Sequence, residues 1–167
     1  DLAGSSALAE EELRALIKTV PAEMLVPGKN ADGSSTTVDE SFPLVHAVKR
    51  QNLRALSVLL ESGAPVLVLS EYNQCLLHIT FSQPDVAPKP AIVKLLLQHG
   101  LSINARDDNE RTPLHLACMI GNAAAVDQAI QFGSDLTAKD AENRGAQQYA
   151  ELSNKQDVIK IVEDALL

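Results

Sequence analysis

The amino-acid sequence predicts an all-α solenoid of stacked helix-turn-helix units, and three observations predict it. The first is a motif that recurs at a fixed step. Within Arg111-Thr-Pro-Leu-His-Leu-Ala-Cys-Met-Ile-Gly-Asn122, take His115 as the origin. A step of 33 residues forward reaches Gln148 in Gly145-Ala-Gln-Gln-Tyr-Ala150; 37 back reaches His78 in Cys75-Leu-Leu-His-Ile-Thr80; a further 33 back reaches Val45 in Phe42-Pro-Leu-Val-His-Ala47. The second is an independent marker on the same rhythm: Leu59-Leu-Glu-Ser-Gly63, Leu96-Leu-Gln-His-Gly100 and Ile130-Gln-Phe-Gly133 place glycines 37 and then 33 apart. Two markers sharing a period near 33 are the signature of a repeat array. The third is the core material. With two tyrosines, three phenylalanines and no tryptophan, the interior must be filled by small and aliphatic side chains between thin, closely stacked helices.

The elements follow in chain order. Residues 7–20 predict one amphipathic helix: Leu13, Leu16, Ile17 and Val20 fall at i, i+3, i+4 and i+7, and Glu10, Glu11 and Glu12 sit near its start, where the helix dipole favours acids. This stretch matches no repeat, so residues 1–26 are expected to form an N-terminal capping helix over the first unit; an interaction helix for a partner is the competing expectation. The chain begins Asp-Leu rather than Met, as expected of a segment of something longer. Residues 27–36, rich in turn formers and poor in apolar side chains, read as a flexible linker.

From there Pro43 and Pro113 are expected in the first turn of a helix, where a missing N–H costs nothing. Gly63, Gly100 and Gly133 are expected to end helices, closing the last turn in the left-handed conformation. Leu56, Leu59 and Leu60 line the buried face of one helix, and Ile92, Leu95 and Leu96 that of another. The second unit is four residues longer, with the excess in Gln83-Pro-Asp-Val-Ala-Pro-Lys-Pro90 and Pro90 placed to open the next helix. Such an insertion marks either function or a tolerated surface bulge. The last unit departs most: Gly145-Ala-Gln-Gln148 and Asn154-Lys-Gln-Asp157 introduce polar residues, as a C-terminal cap should.

The Thr112-Pro-Leu-His-Leu-Ala117 core resembles that of the ankyrin repeat, and the resemblance covers about residues 36–167, close in the third unit and weakest in the last. It implies an ankyrin repeat domain at 37–167, with units at about 37–69, 70–106, 107–139 and 140–167, each a finger-like turn, an inner helix, a short loop and an outer helix. It also implies a protein-interaction module, a scaffold or adaptor, that binds a partner segment with its finger tips and the concave face of its inner helices. The alternative is a regulatory or inhibitory module controlling a catalytic domain in the full-length chain or a partner. By register the resemblance puts Val38, Asp39, Ser41, Lys49 and Arg50 on that surface from the first unit, and Leu69, Glu71, Tyr72, Gln74, Ser82 and Gln83 from the second. The third gives Arg106, Asp108, Asn109, Arg111, Met119 and Ile120, and the fourth Lys139, Ala141, Glu142, Arg144, Leu152 and Ser153. Of these, Tyr72, Arg106, Asp108, Arg111, Met119, Ile120, Lys139 and Arg144 are the expected partner-binding residues. Apolar side chains flanked by arginine suit a contact hot spot for a partly acidic, partly apolar segment.

Composition narrows the function classes. Asp and Glu number 22 against 14 Lys and Arg, a net charge of -8, so nucleic acid is not the expected partner. Apolar runs are short, so membrane insertion is not expected. Two cysteines without framework spacing suit an intracellular site, cytoplasmic or nuclear. Cys75-x-x-His78 and His115-x-x-Cys118 look like zinc ligands, but His78 and His115 hold equivalent places on consecutive helices, roughly 8–10 Å apart, whereas zinc draws its ligands within about 2.3 Å. No metal, cofactor or catalytic residue is expected: there is no Gly-x-Ser-x-Gly, no phosphate-binding glycine loop and no His-Glu-x-x-His.

Overall fold

The computed structural model describes residues 43–64, 66, 70 and 72–167. The expected N-terminal cap (1–26), the linker (27–36) and the surface positions Val38, Asp39, Ser41, Leu69 and Glu71 lie outside the described residues. Among the described residues the chain forms eight α-helices and no strand: α1 (Pro43–Lys49), α2 (Leu53–Glu61), α3 (Leu76–Phe81), α4 (Pro90–Gln98), α5 (Pro113–Ile120), α6 (Ala123–Gln131), α7 (Ala146–Ser153) and α8 (Gln156–Leu166). The odd-numbered helices stack in sequence as an inner row, α1 on α3, α3 on α5, α5 on α7. In the outer row α2 packs on α4 and α6 on α8, while α6 also meets α3. The fold is the helical solenoid that the repeats require.

The helix ends follow from a few residue types. Pro43, Pro90 and Pro113 each begin a helix, where the fixed φ of proline is already helical. Asn52 and Asn122 cap α2 and α6 by accepting the N–H of Ala55 and Ala125, each at 3.1 Å. Gly63, Gly100 and Gly133 lie at φ 88, 92 and 85. The N–H of the next residue reaches back across each turn, Ala64 to Leu59 O, Leu101 to Leu96 O and Ser134 to Ala129 O, the arrangement that closes a helix with a left-handed residue.

Between the rows sits one continuous core. Phe81 is its largest fully buried side chain, in one cluster with Leu44, Leu56, Leu76, Leu77, Ile92, Leu96 and Leu114, all essentially inaccessible. Toward the third and fourth units the filling becomes small, with Ala117, Cys118, Ala125, Ala129, Ala146 and Ala150 buried. Small side chains let neighbouring helices approach closely, which is why so few aromatics suffice.

The insertion is built into the stack on both sides. Toward the first unit, Gln83 Nε2 donates to Val48 O, Lys89 N to Gln51 Oε1 and Lys89 Nζ to Gln51 O. Toward the third, Asn122 Nδ2 donates to Gln83 O and Val86 O, and Gln128 Nε2 to Pro88 O at 2.7 Å. A bulge tolerated for want of neighbours would not be held by both flanking units; this one acts as a polar spacer between them.

Candidate functional site

Each of the three described fingers is organised around one polar side chain at its base. In the third unit it is Asp107: Oδ1 accepts the N–H groups of Asn109 and Arg111, each at 2.9 Å, and Oδ2 accepts Arg111 Nε at 3.0 Å and Nη2 at 2.8 Å. Asp140, 33 residues on, repeats the pattern with the N–H groups of Glu142 and Arg144 and the guanidinium of Arg144. In the second unit Ser70 takes the place, accepting the N–H groups of Tyr72 and Gln74 on its hydroxyl. Gln74, where the later units have arginine, donates to Asp107 Oδ2 of the next finger at 3.3 Å. All three turns carry a left-handed residue at the same place, Asn73, Glu110 and Asn143.

Neighbouring fingers are tied in register through their backbones. Asp108 N–H donates to Tyr72 O and Ala141 N–H to Asn109 O. Arg106 Nη1 spans two units, donating to Glu110 O, to Glu110 Oε2 and to Lys139 O at 2.8 Å. The inner-helix histidines add a second tie. Nδ1 of His78 accepts the Cys75 N–H, and Nδ1 of His115 accepts that of Thr112. The proton therefore sits on Nε2, which donates to Arg111 O from His78 and to Ala138 O from His115. With both ring nitrogens engaged in backbone bonds, these two imidazoles are occupied as structural clamps. Gln148 keeps the first half of this arrangement, its Oε1 accepting the Gly145 N–H at 2.8 Å.

Electrostatics reinforce the frame. Burial alone would raise the Asp107 and Asp140 carboxyls, but the hydrogen bonds outweigh it. Both pKa values fall below the usual range, that of Asp107 through Arg111 and Gln74, that of Asp140 through Tyr149, Arg144 and the Glu142 N–H. Tyr149 donates its hydroxyl to Asp140 Oδ2 at 2.6 Å, accepts Arg144 Nη2 at 3.0 Å, and lies under that guanidinium at 5.0 Å. Burial and the Asp140 carboxylate push its phenol up to about 12. Burial likewise lowers the His78 and His115 pKa values, keeping both neutral, and pushes the Cys118 thiol up to about 12. Among the described residues no group of three or more His, Cys, Asp or Glu side chains is placed to hold a metal ion.

On this frame the expected contact residues separate into two kinds. Tyr72 (55% exposed) and Met119 (42%) reach solvent as large apolar groups, Ile120 is half-buried, and Arg106, Asp108 and Lys139 are exposed. Leu152, one repeat beyond Met119, is the most exposed of the inner-helix apolar side chains at 68%. Arg111 and Arg144 behave differently. Their side chains are 18% and 36% exposed, and both grip the aspartate four residues earlier, so the expected row of arginines exists chiefly as a row of internal clamps. Sequence reasoning missed the carboxylates that organise it. The signal was there: Asp107 and Asp140 are 33 apart, each four residues before an arginine.

The model of the family described as ankyrin repeats in many copies matches residues 86–132. The mouse protein "Ankyrin repeat domain-containing protein 63" is 38% identical over 72 residues, 43% of this chain and 18% of that protein, and its human counterpart is 38% identical over the same length, 19% of that protein. A longer, weaker match of 24% over 142 residues covers 82% of this chain and 13% of human "Transient receptor potential cation channel subfamily A member 1". The chain thus spans less than a fifth of the length of these relatives. Among the described residues no helix is long and apolar enough to cross a membrane. The Thr112-Pro-Leu-His115 core with its equivalents one repeat away, the paired helices with their cross-bonded fingers and the matching family model lead to one assignment: the chain carries ankyrin repeats.

Proposed function

We propose that this array serves as a scaffold or adaptor that captures a protein segment on its fingers and the solvent face of its inner helices. Ankyrin repeats are in general protein–protein interaction modules. The observation that carries the reading here is the exposure of Tyr72, Met119 and Leu152 on elements held rigid by backbone ties between units. Exposed apolar side chains on a preorganised frame gain contact area with little loss of conformational entropy. Arg106, Asp108, Lys139 and Ile120 complete the surface, and Arg111 and Arg144 contribute through the guanidinium atoms their aspartates leave free. The free cysteines Cys75 and Cys118 favour an intracellular setting, cytoplasmic or nuclear.

The test is site-directed photo-crosslinking. A photoreactive side chain at position 72 or 119 is expected to trap the same partner, while one at Lys94 or Lys160, on the outer helices, is expected to trap none of it. Equal trapping from both faces would overturn the assignment of the surface. The alternative, regulation of a catalytic domain in the full-length chain or a partner, predicts that the trapped segment lies in an enzyme.

A further inference from the structure

The second and third fingers are each bonded along one edge to the finger that follows. Tyr72 O accepts the N–H of Asp108, and Asn109 O that of Ala141. Arg106 Nη1 reaches Lys139 O, and His115 Nε2 reaches Ala138 O. One repeat on from Asn109, Arg106 and His115 stand Glu142, Lys139 and Gln148. Among the described residues, Glu142 O, Lys139 Nζ and Gln148 Nε2 have no hydrogen-bond partner. The fourth finger therefore keeps the edge chemistry of the third, one carbonyl acceptor and two donors. A Cβ placed on Gly145 would lie 3.0 Å from Lys139 Nζ and 3.3 Å from Gln148 Oε1, so the ammonium and the amide converge at a place where the earlier units carry the side chains of Cys75 and Thr112. The helices beside this edge are different. Gln147, Gln148 and Glu151 are exposed where Leu114, His115 and Cys118 are buried, and polar groups there do not reward a further apolar helix pair. Only Ile159, half-buried where Leu56, Val93 and Val126 are fully enclosed, keeps apolar surface on that side.

We infer that the edge of the fourth finger is a second docking site, which takes a finger-like turn of a partner protein through its main chain. Continuity with the interface between the third and fourth fingers sets the register. The occupant offers two successive carbonyls, as Ala138 and Lys139 do, to Gln148 Nε2 and Lys139 Nζ. Two residues after the second it offers an N–H, as Ala141 does, to Glu142 O. The residue between carries the side chain that folds the turn, an aspartate as at Asp107 and Asp140, and the first of the four is small, as at Ala105 and Ala138. Pairing along an exposed edge draws its affinity from main-chain hydrogen bonds, and the side chains select among partners. The site shares only Lys139 with the recognition surface proposed above, so the two can be tested apart.

A synthetic peptide of residues 134–145 tests it against the isotope-labelled 167-residue chain. That peptide carries the contacts that fold its own turn, Asp140 with the N–H groups of Glu142 and Arg144. Amide chemical shifts are expected to move at residues 139, 142, 147–148 and 159 with about millimolar affinity, the strength of a few main-chain hydrogen bonds. Methylating the peptide nitrogen at the place of Ala141, whose N–H bonds only to the neighbouring finger, is expected to weaken binding about tenfold. Gln148→Glu keeps an acceptor for the Gly145 N–H but replaces the donor, and is expected to weaken binding by about the same factor. Gln148→His restores the imidazole of the second and third units and is expected to strengthen it. Equal binding of the methylated and plain peptides, shifts that miss this edge, or none at about 10 mM peptide would overturn the site while leaving crosslinking at positions 72 and 119 as expected. Shifts of the same edge on concentrating the chain alone would make the occupant a second copy and overturn the assignment to a partner.

Discussion

The second and third fingers reach one backbone shape by different chemistry. Around Asp107 the turn is organised by a buried carboxylate that accepts two backbone N–H groups and a two-point guanidinium contact. Around Ser70 the same turn is held by a single neutral hydroxyl accepting two N–H groups. Both carry a left-handed residue at the same place, and both pass a backbone hydrogen bond to the next finger. The shape is thus a property of the repeat, and the side chain at its base sets how firmly it is held. The fourth finger varies the series, because the side chain that joins the arginine on the carboxylate of Asp140 is the Tyr149 hydroxyl of its own unit, where Asp107 takes Gln74 of the preceding finger.

Replacing the organiser in each finger gives the widest separation between them. Asp140→Ala removes the shared acceptor of Arg144 Nε, the Tyr149 hydroxyl and the N–H groups of Glu142 and Arg144, leaving Arg144 its ion pair with the exposed Glu142 and its bond to Tyr149, and should cost about 3 kcal/mol, by the scale for breaking a partly buried charged pair. Ser70→Ala removes one neutral acceptor and should cost about 1 kcal/mol. Chemical denaturation of the two variants measures the gap. Equal losses would mean that the carboxylate holds its finger no more firmly than the hydroxyl does.

Acid separates the histidine clamps from the glutamine that stands in for them. His78 and His115 have folded-state pKa values below the unfolded value of about 6.5. A group so depressed binds its proton more readily when unfolded, so its contribution is complete above about pH 6.5 and is lost as pH falls toward the folded pKa. Asp107 and Asp140 are also depressed, from an unfolded value near 4, so their contribution persists to lower pH and is lost only below about pH 4. The fourth unit already shows that glutamine can accept the N–H at the start of an inner helix. His115→Gln is therefore expected to lower the melting temperature by a few degrees at pH 7 and to flatten its fall between about pH 6.5 and 5. Thermal melts across that range check it; an unchanged slope would clear His115 of any part in the acid response.

These contrasts also explain what could be read from the sequence. The repeat step, the helix-opening prolines and the helix-closing glycines were legible because each meets a backbone requirement that few residues satisfy. The exposure of Met119 and Tyr72 was legible from register, which fixes which side of a short helix, for Met119, and which position of a finger turn, for Tyr72, faces water. The work of Arg111 and Arg144 was not. A charged pair four residues apart looks the same on a solvated turn as in a buried clamp, and only the depth of Asp107 and Asp140 tells them apart. The insertion was equally silent, because its hydrogen bonds go to Val48, Gln51, Asn122 and Gln128, residues 35 to 40 positions away in the chain.

The finger tips offer the finest contrast, at Asn73, Glu110 and Asn143, with φ of 58, 59 and 63. Asparagine tolerates this left-handed geometry, whereas a longer side chain with a tetrahedral Cγ pays a steric penalty. Glu110 is compensated by its ion pair with Arg106 at 3.0 Å, but both side chains are more than 40% exposed, and such a pair contributes little in water. Arg106 would retain its bond to Lys139 O, and to the carbonyl of residue 110, after the carboxylate is gone. Glu110→Asn should therefore stabilise the chain by about 0.5 kcal/mol, while Asn143→Glu, the reverse change one repeat on, should destabilise it by a similar amount. If Glu110→Asn proves destabilising, the Arg106 ion pair is the stronger term, and the third finger is held from its tip as well as from its base.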